Sequence, residues 1–256
     1  MSVADTWDPT QYARFAAERR QPFDDLLALV EPVPGGAVVD LGCGSGELTV
    51  DLHRRTAAAR TLGLDSSPAM LDEAPTAPGV TFEVGDLTTW WAPRKVDLVF
   101  ANAALQWVGD HEHLLPRLRD QLAPGGQLAV QVPYNFDHPS HTASAAVART
   151  MLAHPPEDPV AANVLAPTRY AELLHELGFE SQHVRLQVYG HVLDSTADVV
   201  EWTKGTSLTR FKPHFTPAEY DAFVGAYRER LVAELGDVRP YFYAFKRILF
   251  WAKMPA

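Results

Sequence analysis

Cysteine is almost absent from the sequence, which has Cys43 alone. One thiol cannot form an intrachain disulfide or a cysteine-based zinc cluster, so we expect neither structural cross-links nor redox chemistry. Long apolar runs are also missing, since no window approaches 18 uninterrupted apolar residues, and the first residues lack the basic and apolar regions of a secretory signal. These absences predict a cytoplasmic protein with no membrane partner.

Basic residues are outnumbered, because 22 Lys and Arg stand against 32 Asp and Glu, giving a formal charge of −10. Such a charge disfavours binding to nucleic-acid phosphates and to anionic membranes, so a small molecule is the expected partner and nucleic acid is not. We expect a monomer or a weak homodimer. His111 and His113 have i,i+2 spacing, which points two rings to different faces of a helix, so we expect no metal site there and a solvated helix start.

Short apolar strands alternate with amphipathic helices from about residue 37 onward, an order typical of a parallel, doubly wound sheet. The stretch "PGGQLAVQVP" is the fifth predicted strand, and "SQHVRLQVYGHV" and "RILFWAKM" are the sixth and seventh. Helical patterns precede the first strand, where Pro22 is expected to end one helix, and separate the last two strands. The predicted class is α/β, with a mostly parallel seven-stranded sheet, N-terminal helices and a late helical insertion.

The stretch "VVDLGCGSG", Val38 to Gly46, places three glycines between a predicted strand and a predicted helix. Such a turn lets the backbone approach a ligand closely, while the helix N-terminus presents unpaired N–H groups. The spacing G-x-G-x-G differs from the G-x-G-x-x-G of dinucleotide folds, and no Walker-type "GK[ST]" follows. The loop alone leaves an ordinary structural turn open as the alternative.

Acidic residues end the next two predicted strands, at Asp65 and Asp86. The carboxyl ends of parallel strands meet at one edge of a sheet, where an acid can accept hydrogen bonds from ribose hydroxyls or from an adenine amine. Each acid alone is more often a solvated strand end or a helix cap. Together with the glycine loop, they predict a nucleoside site without a phosphate clamp.

These motifs resemble the class I S-adenosylmethionine-dependent methyltransferases, in the order "VVDLGCGSG", "GLDSSPAML", "EVGDLTTW" and "DLVFANAALQWV". The resemblance implies a Rossmann-like fold and S-adenosylmethionine as cofactor, with Gly42 and Gly44 along its methionyl part and Asp65 on its ribose. Cofactor contacts are implied for Asp40, Gly42, Gly44, Asp65, Ser66, Asp86, Leu87 and Asn102. Cys43 is then expected to be an inert residue inside a packed turn.

Within that class, "WDPTQYARFAAERRQPF", "ANAALQWVGDHEHLLPRL" and "EWTKGTSL" resemble the trans-aconitate methyltransferases. This resemblance implies methylation of a small polycarboxylic acid on a carboxyl oxygen, giving a monomethyl ester and S-adenosylhomocysteine. It also implies one domain over 1–256, with a substrate-side segment at 1–34, a cofactor-binding core at 35–135 and a helical cap at 192–240. The sequence departs from the family at Gln21, Ala244 and Lys246, which leaves the acid itself open.

Transfer to a carboxylate needs no general base, because the nucleophile is already ionised at neutral pH. The protein must align the reactants and hold the other carboxylates, a task for which the planar fork of arginine is suited. The substrate-binding candidates are Tyr12, Arg19, Arg20, Trp107, Tyr134, Lys246 and Arg247. Two alternatives stay open: a methyltransferase for the oxygen, nitrogen or carbon of another metabolite, and a catalytically silent regulatory protein that binds the cofactor.

Overall fold

The computed structural model describes residues 16–256, with side chains from Arg20 onward, so that Tyr12 lies outside the described residues and only the backbone of Arg19 is described. The α-helices are α1 (Ala16–Leu27), α2 (Glu47–Thr56), α3 (Pro68–Leu71), α4 (His111–Arg119), α5 (Pro139–Met151), α6 (Pro159–Asn163), α7 (Pro167–Glu176), α8 (Asp198–Lys204) and α9 (Pro217–Leu235). The strands are β1 (Ala37–Leu41), β2 (Arg60–Asp65), β3 (Val80–Val84), β4 (Val96–Asn102), β5 (Leu122–Pro133), β6 (Ser181–Leu193) and β7 (Tyr241–Lys253).

The strands form a seven-stranded sheet in the order β3-β2-β1-β4-β5-β7-β6. Strands β3, β2, β1, β4 and β5 pair in parallel, whereas β7 pairs with β5 in the antiparallel direction. Every residue of β1 is buried, as expected of a central strand that is covered on both faces. The prediction of a mostly parallel seven-stranded α/β sheet is confirmed.

Helix α1 corrects the expectation that Pro22 ends a helix, because Pro22 lies inside the helix. Proline removes one backbone donor from the helical ladder. Here the loss is offset by burial, since Phe23 and Leu26 on the same helix are 0% exposed and Phe23 meets the ring of Phe100 edge-on at 5.5 Å. Tertiary packing, which the local pattern does not contain, extends the helix past the proline.

Helix α4 begins at His111, but the expectation of a solvated start is wrong for that residue. His111 is 1% exposed, and its two ring nitrogens lie 2.6 Å from the hydroxyl of Tyr170 and 2.8 Å from the carbonyl oxygen of Leu105. His113, by contrast, is solvated and pairs with Asp110 at 2.7 Å. Within the described part of the chain, no helix is both long and apolar enough to cross a membrane.

The described residues divide into two compact units. The sheet unit contains residues 19–133, 163–187 and 247–256, and the helical unit contains residues 16–18, 134–162 and 188–246. Strands β6 and β7 contribute residues to both units, since the division falls after Gln187 and after Lys246. Each unit has buried apolar residues of its own, and the helical unit is centred on α9, whose Phe223 and Tyr227 are 0% exposed.

A charge cluster lies inside the helical unit. His141 Nδ1 donates to Asp158 Oδ2 at 2.7 Å, and Arg210 Nη1 lies 3.2 Å from the same carboxylate oxygen. The Arg210 guanidinium also donates to the carbonyl oxygen of Ser207 at 2.9 Å and stacks on the ring of Phe211. Burial raises the pKa of Asp158, but the hydrogen bond from His141 and the charges of His141 and Arg210 outweigh it and lower the pKa to about 2.

Candidate active site

The glycine loop follows β1 and has two positions where only glycine fits. Gly42 has a φ of +71°, and a Cβ there would lie 2.3 Å from the Cβ of Ala104. Gly46 has a φ of +80°, and a Cβ there would lie 2.4 Å from the ring of Phe82. Real Cβ atoms do not approach so closely, and side chains are strained at these φ values. The loop is therefore held tightly against β3 and the segment after β4.

Asp65, the last residue of β2, fixes this loop through its carboxylate. Its Oδ2 accepts from the Gly44 N–H at 2.9 Å, and its Oδ1 accepts from the Ser67 N–H at 2.9 Å. A carboxylate has about four lone-pair sites, so two remain for donors of a ligand. Ser66, which lies between Asp65 and Ser67 in the sequence, is exposed. The structure thus joins two predicted cofactor residues, Gly44 and Asp65, by a direct hydrogen bond.

Asp40, the penultimate residue of β1, is a buried acid that has no ion pair with any cation in the described structure. It is 4% exposed, and the hydroxyl of Thr49 on the first turn of α2 donates to its Oδ2 at 2.6 Å. Burial raises the pKa of Asp40 to about 7, the Thr49 hydrogen bond opposes this rise, and the charge of Asp65 adds to it. A cationic group of a ligand would stabilise the ionised form.

Cys43 stands between the first two glycines of the loop. The Cβ of an alanine at Gly63 would lie 3.0 Å from its Sγ, so the thiol is packed against β2. Burial raises the pKa of the Cys43 thiol, and the charges of Asp40 and Asp65 raise it further. A thiol held protonated in this way is a poor nucleophile, which agrees with the inert role expected from the sequence.

Asp86 follows β3 and forms a local cap. Its Oδ1 accepts from the backbone N–H of Thr88 at 2.8 Å and from the Thr88 hydroxyl at 2.7 Å. A local cap of this kind was the alternative role that the sequence analysis left open for Asp86. The residue is exposed. Leu87 beside it is half-buried. The cap occupies Oδ1 alone and fixes the direction of the carboxylate, so a role on the adenine stays a prediction.

The segment after β4 carries buried acceptors. Asn102 ends the strand, Ala103 adopts a φ of +56°, and a single turn of 3-10 helix, Leu105–Trp107, follows. Among the residues that the structure describes, the buried Oδ1 of Asn102 and Oε1 of Gln106 have no hydrogen-bond partner. Buried acceptors are normally satisfied, so two exceptions in the segment that follows the carboxyl end of a parallel strand fit the donors of a ligand. Trp107 is half-buried.

The basic candidates for substrate binding have different surroundings. Arg20 lies 2.5 Å from Asp51 and is half-exposed, in an ionic cluster on α1 and α2. Lys246 in the helical unit donates to both carboxylate oxygens of Asp137, at 2.6 and 2.5 Å. Arg247 is 7% exposed and donates from Nη1 to the neutral Gln131 Oε1 at 3.4 Å. Of the three, Arg247 is the buried guanidinium.

Tyr134 belongs to the helical unit, where its half-buried ring meets Phe136 edge-on at 5.1 Å. Two residues that the sequence analysis missed are Thr49, which holds Asp40, and Gln131, which meets Arg247. A signal existed for the second, because a glutamine inside the apolar run "LAVQV" is an unusual occupant of a buried strand.

The chain is similar to known methyltransferases. The family model described as "Methyltransferase domain" matches residues 38–126. The chain is 44% identical to trans-aconitate 2-methyltransferase from Deinococcus radiodurans over 98% of this chain and 99% of the relative, and 41% identical to that from Streptomyces avermitilis over 92% and 94%.

Solved structures agree in fold. YcgJ from Bacillus subtilis matches with a TM-score of 0.61 at 13% identity, covering 93% of this chain and 99% of YcgJ. Phosphoethanolamine N-methyltransferase 2 from Haemonchus contortus, in complex with S-adenosyl-L-methionine, matches with a TM-score of 0.59 at 19% identity, covering 100% of this chain and 60% of that chain. At these identities the likeness concerns the fold alone.

Proposed function

Because the chain belongs to the family of trans-aconitate 2-methyltransferases, we propose that it methylates a carboxyl oxygen of trans-aconitate or a similar small polycarboxylic acid. The products are a monomethyl ester and S-adenosylhomocysteine. The observation that carries the proposal is the similarity to these relatives over nearly the full length of both chains. We further propose a cytoplasmic, monomeric or weakly dimeric enzyme that does not act on nucleic acid.

The residues present fit S-adenosylmethionine, which supplies a methyl group activated on a sulfonium when it is bound. Asp40, buried and without a described cation, is the proposed partner of the ammonium group. The two remaining lone-pair sites of Asp65 suit the ribose hydroxyls, and the unsatisfied Asn102 Oδ1 suits a further donor at the mouth of the reaction site. Gly42 and Gly44 let the backbone approach the methionyl part, while Ser66, Asp86 and Leu87 complete the proposed contacts.

On the acceptor side, the residues must align a carboxylate that is already ionised at neutral pH. Arg247 is the leading candidate, since its buried guanidinium would act with little screening by water. Arg20 pairs with Asp51, and Lys246 pairs with Asp137. Tyr12, Arg19, Trp107 and Tyr134 remain proposed substrate contacts, with residues 1–34 and 192–240 as the substrate-side segments of a single domain whose cofactor core is 35–135.

A direct assay tests the function. Purified protein is mixed with methyl-labelled S-adenosylmethionine and a panel of di- and tricarboxylic acids, and methyl esters are detected by mass spectrometry. We expect a monomethyl ester of trans-aconitate. Binding of S-adenosylmethionine with no ester from any acid would contradict the proposal and favour the silent regulatory protein.

The pH dependence of kcat separates acceptor types. With a carboxylate acceptor and both substrates saturating, we expect no group that must lose a proton near neutrality for turnover. A hydroxyl or amine acceptor usually requires such a base. An essential deprotonation near pH 7 in kcat would therefore favour methylation of another kind of metabolite.

A further inference from the structure

Gln131 on β5 is a buried side chain with an unused donor. It is 0% exposed, and its Nε2 has no hydrogen-bond partner among the residues that the structure describes. A buried N–H left unsatisfied destabilises the fold, and native proteins retain few of them. This donor lies in the last part of β5, near the carboxyl edge where ligands bind in parallel sheets.

The orientation of the Gln131 amide follows from its neighbour. Its Oε1 accepts from Arg247 Nη1 at 3.4 Å, and a guanidinium can only donate, so the oxygen end of the amide must face the arginine. The pairing of β5 with β7 agrees, because Leu249 lies opposite Gln131 and Arg247 is two residues away, on the same face. The NH₂ group is therefore the end of the amide that does not bond to the guanidinium.

Gln131 is also tied to the segment that carries the unsatisfied acceptors. Asn102 is its register partner on β4, and the Gln131 carbonyl oxygen accepts from the Ala103 N–H at 2.9 Å. Gln106 Nε2 donates to the carbonyl oxygen of Ala103 at 2.7 Å, which leaves Gln106 Oε1 as its unsatisfied atom. Asn102 and Gln106 thus offer acceptors and Gln131 offers a donor, so an anionic group would be bound by Gln131.

Gln127 shows that the same strand can satisfy a buried glutamine. It lies four residues earlier on the same face of β5 and is 2% exposed. Its Oε1 accepts from the Glu31 N–H and from Trp251 Nε1, both at 2.8 Å, and its Nε2 donates to the Glu31 carbonyl oxygen at 2.9 Å. Gln127 is a structural residue, whereas Gln131 has the same burial without the same bonds.

We infer that Gln131 binds the acid: its Nε2 donates to a carboxylate oxygen of the substrate, and the adjacent Arg247 supplies positive charge to the same carboxylate. This inference rests on the proposed function and extends it from the class of substrate to the group that recognises it. An amide donor beside a guanidinium favours a carboxylate over an ester or an amine, because the ester lacks the charge and the amine repels the cation.

The test compares Gln131→Leu with the matched control Gln127→Leu. For Gln131→Leu we expect the KM for trans-aconitate to rise about tenfold or more, as for the loss of one hydrogen bond to a charged group. The Kd for S-adenosylhomocysteine and the urea midpoint should stay near the wild-type values, because the variant loses one unpartnered donor and one long hydrogen bond, the 3.4 Å contact with Arg247. Gln127→Leu should instead lower the urea midpoint and leave the KM unchanged.

Gln131→Glu supplies an independent variant of similar size. Its carboxylate has no donor and repels the acid, so its KM should rise at least as much as that of Gln131→Leu, and it decides the question should the leucine variant fail to fold. A KM within twofold of wild type in a folded variant would overturn the inference, as would loss of S-adenosylhomocysteine binding.

The proposed function is judged separately, by turnover of the wild-type protein. Turnover with an unchanged KM in the Gln131 variants would leave the function standing and remove the inference. If the wild type binds the acid but forms no ester, the function fails, and calorimetric titration of trans-aconitate into protein saturated with S-adenosylhomocysteine decides the role of Gln131. Absence of acid binding by the wild type would overturn both.

Discussion

Two carboxylates, the buried Asp40 in the sheet unit and the largely buried Asp158 in the helical unit, have opposite electrostatic surroundings. Asp158 in the helical unit meets His141 and Arg210, and these partners lower its pKa to about 2. Asp40 in the sheet unit meets only a hydroxyl among its described hydrogen-bond partners, and burial raises its pKa to about 7. At pH 7 the carboxyl group of Asp158 is therefore ionised, whereas that of Asp40 is partly protonated.

The difference teaches how to separate a structural acid from one that is reserved for a ligand. A charge that serves the fold is buried together with its countercharge, because an unpaired buried ion is costly. A charge that serves a cationic ligand lacks that partner until the ligand arrives. By this criterion Asp158 stabilises the helical unit, and Asp40 has the surroundings expected for the ligand-binding role that we propose.

The largest expected effect is the loss of the countercharge around Asp158. Asp158→Asn leaves the Arg210 guanidinium buried without an anion, which should lower the free energy of unfolding by about 3–5 kcal/mol. Urea denaturation at pH 7 measures this change. A loss below about 1 kcal/mol would show that Asp158 is not the structural member of the comparison.

Asp40→Asn should have the opposite sign. Removing a buried, largely uncompensated charge should stabilise the ligand-free protein by about 1–3 kcal/mol at pH 8, since that charge is destabilising above its raised pKa. Calorimetry should at the same time show at least tenfold weaker binding of S-adenosylmethionine, because the ammonium loses its anionic partner. A variant that binds the cofactor normally would remove Asp40 from the site.

The pH dependence of stability also distinguishes the two acids. The folded pKa of Asp158 is depressed, so its contribution of about 2 kcal/mol is present above pH 4 and is lost as the pH falls towards 2. The folded pKa of Asp40 is raised, so stability should decline as the pH rises from about 4 to 7. Urea denaturation of the wild type should show both effects. Asp158→Asn should lack the loss of stability below pH 4, and Asp40→Asn should lack the decline between pH 4 and 7.

The smallest effect is expected at a carboxylate on the surface. Asp137 pairs with Lys246 at 2.5 Å, but the Asp137 side chain is 57% exposed. Asp137→Asn should change the free energy of unfolding by less than about 1 kcal/mol, because solvent screens the pair. The same urea experiment measures this change. A loss of free energy of unfolding similar to that of Asp158→Asn would mean that burial does not explain the difference between the Asp137–Lys246 and Asp158–Arg210 pairs.

Local pattern predicted the seven strands and placed Asp65 at a strand end, because alternation of apolar residues and glycine turns are written in adjacent positions. It did not predict the contacts that join distant segments. His111 is buried by Tyr170, 59 residues away, and Gln131 meets Arg247, 116 residues away. Similarly, Pro22 interrupts a local helical pattern that packing against Phe100 sustains. The motifs were sufficient to propose the cofactor contacts, whereas the substrate contact proposed for Gln131 depends on strand pairing.

The packing of Cys43 makes the glycine loop observable in solution. Its thiol is the only one in the chain, and Cys43 is half-buried, with its Sγ packed against Gly63. Alkylation of the native protein should therefore be slower than that of the unfolded chain, and the rate of labelling reports on this loop with no background from other thiols. A ligand that covers the loop should lower the rate at which Cys43 is alkylated. This rate then measures occupancy of the site without turnover or a labelled cofactor.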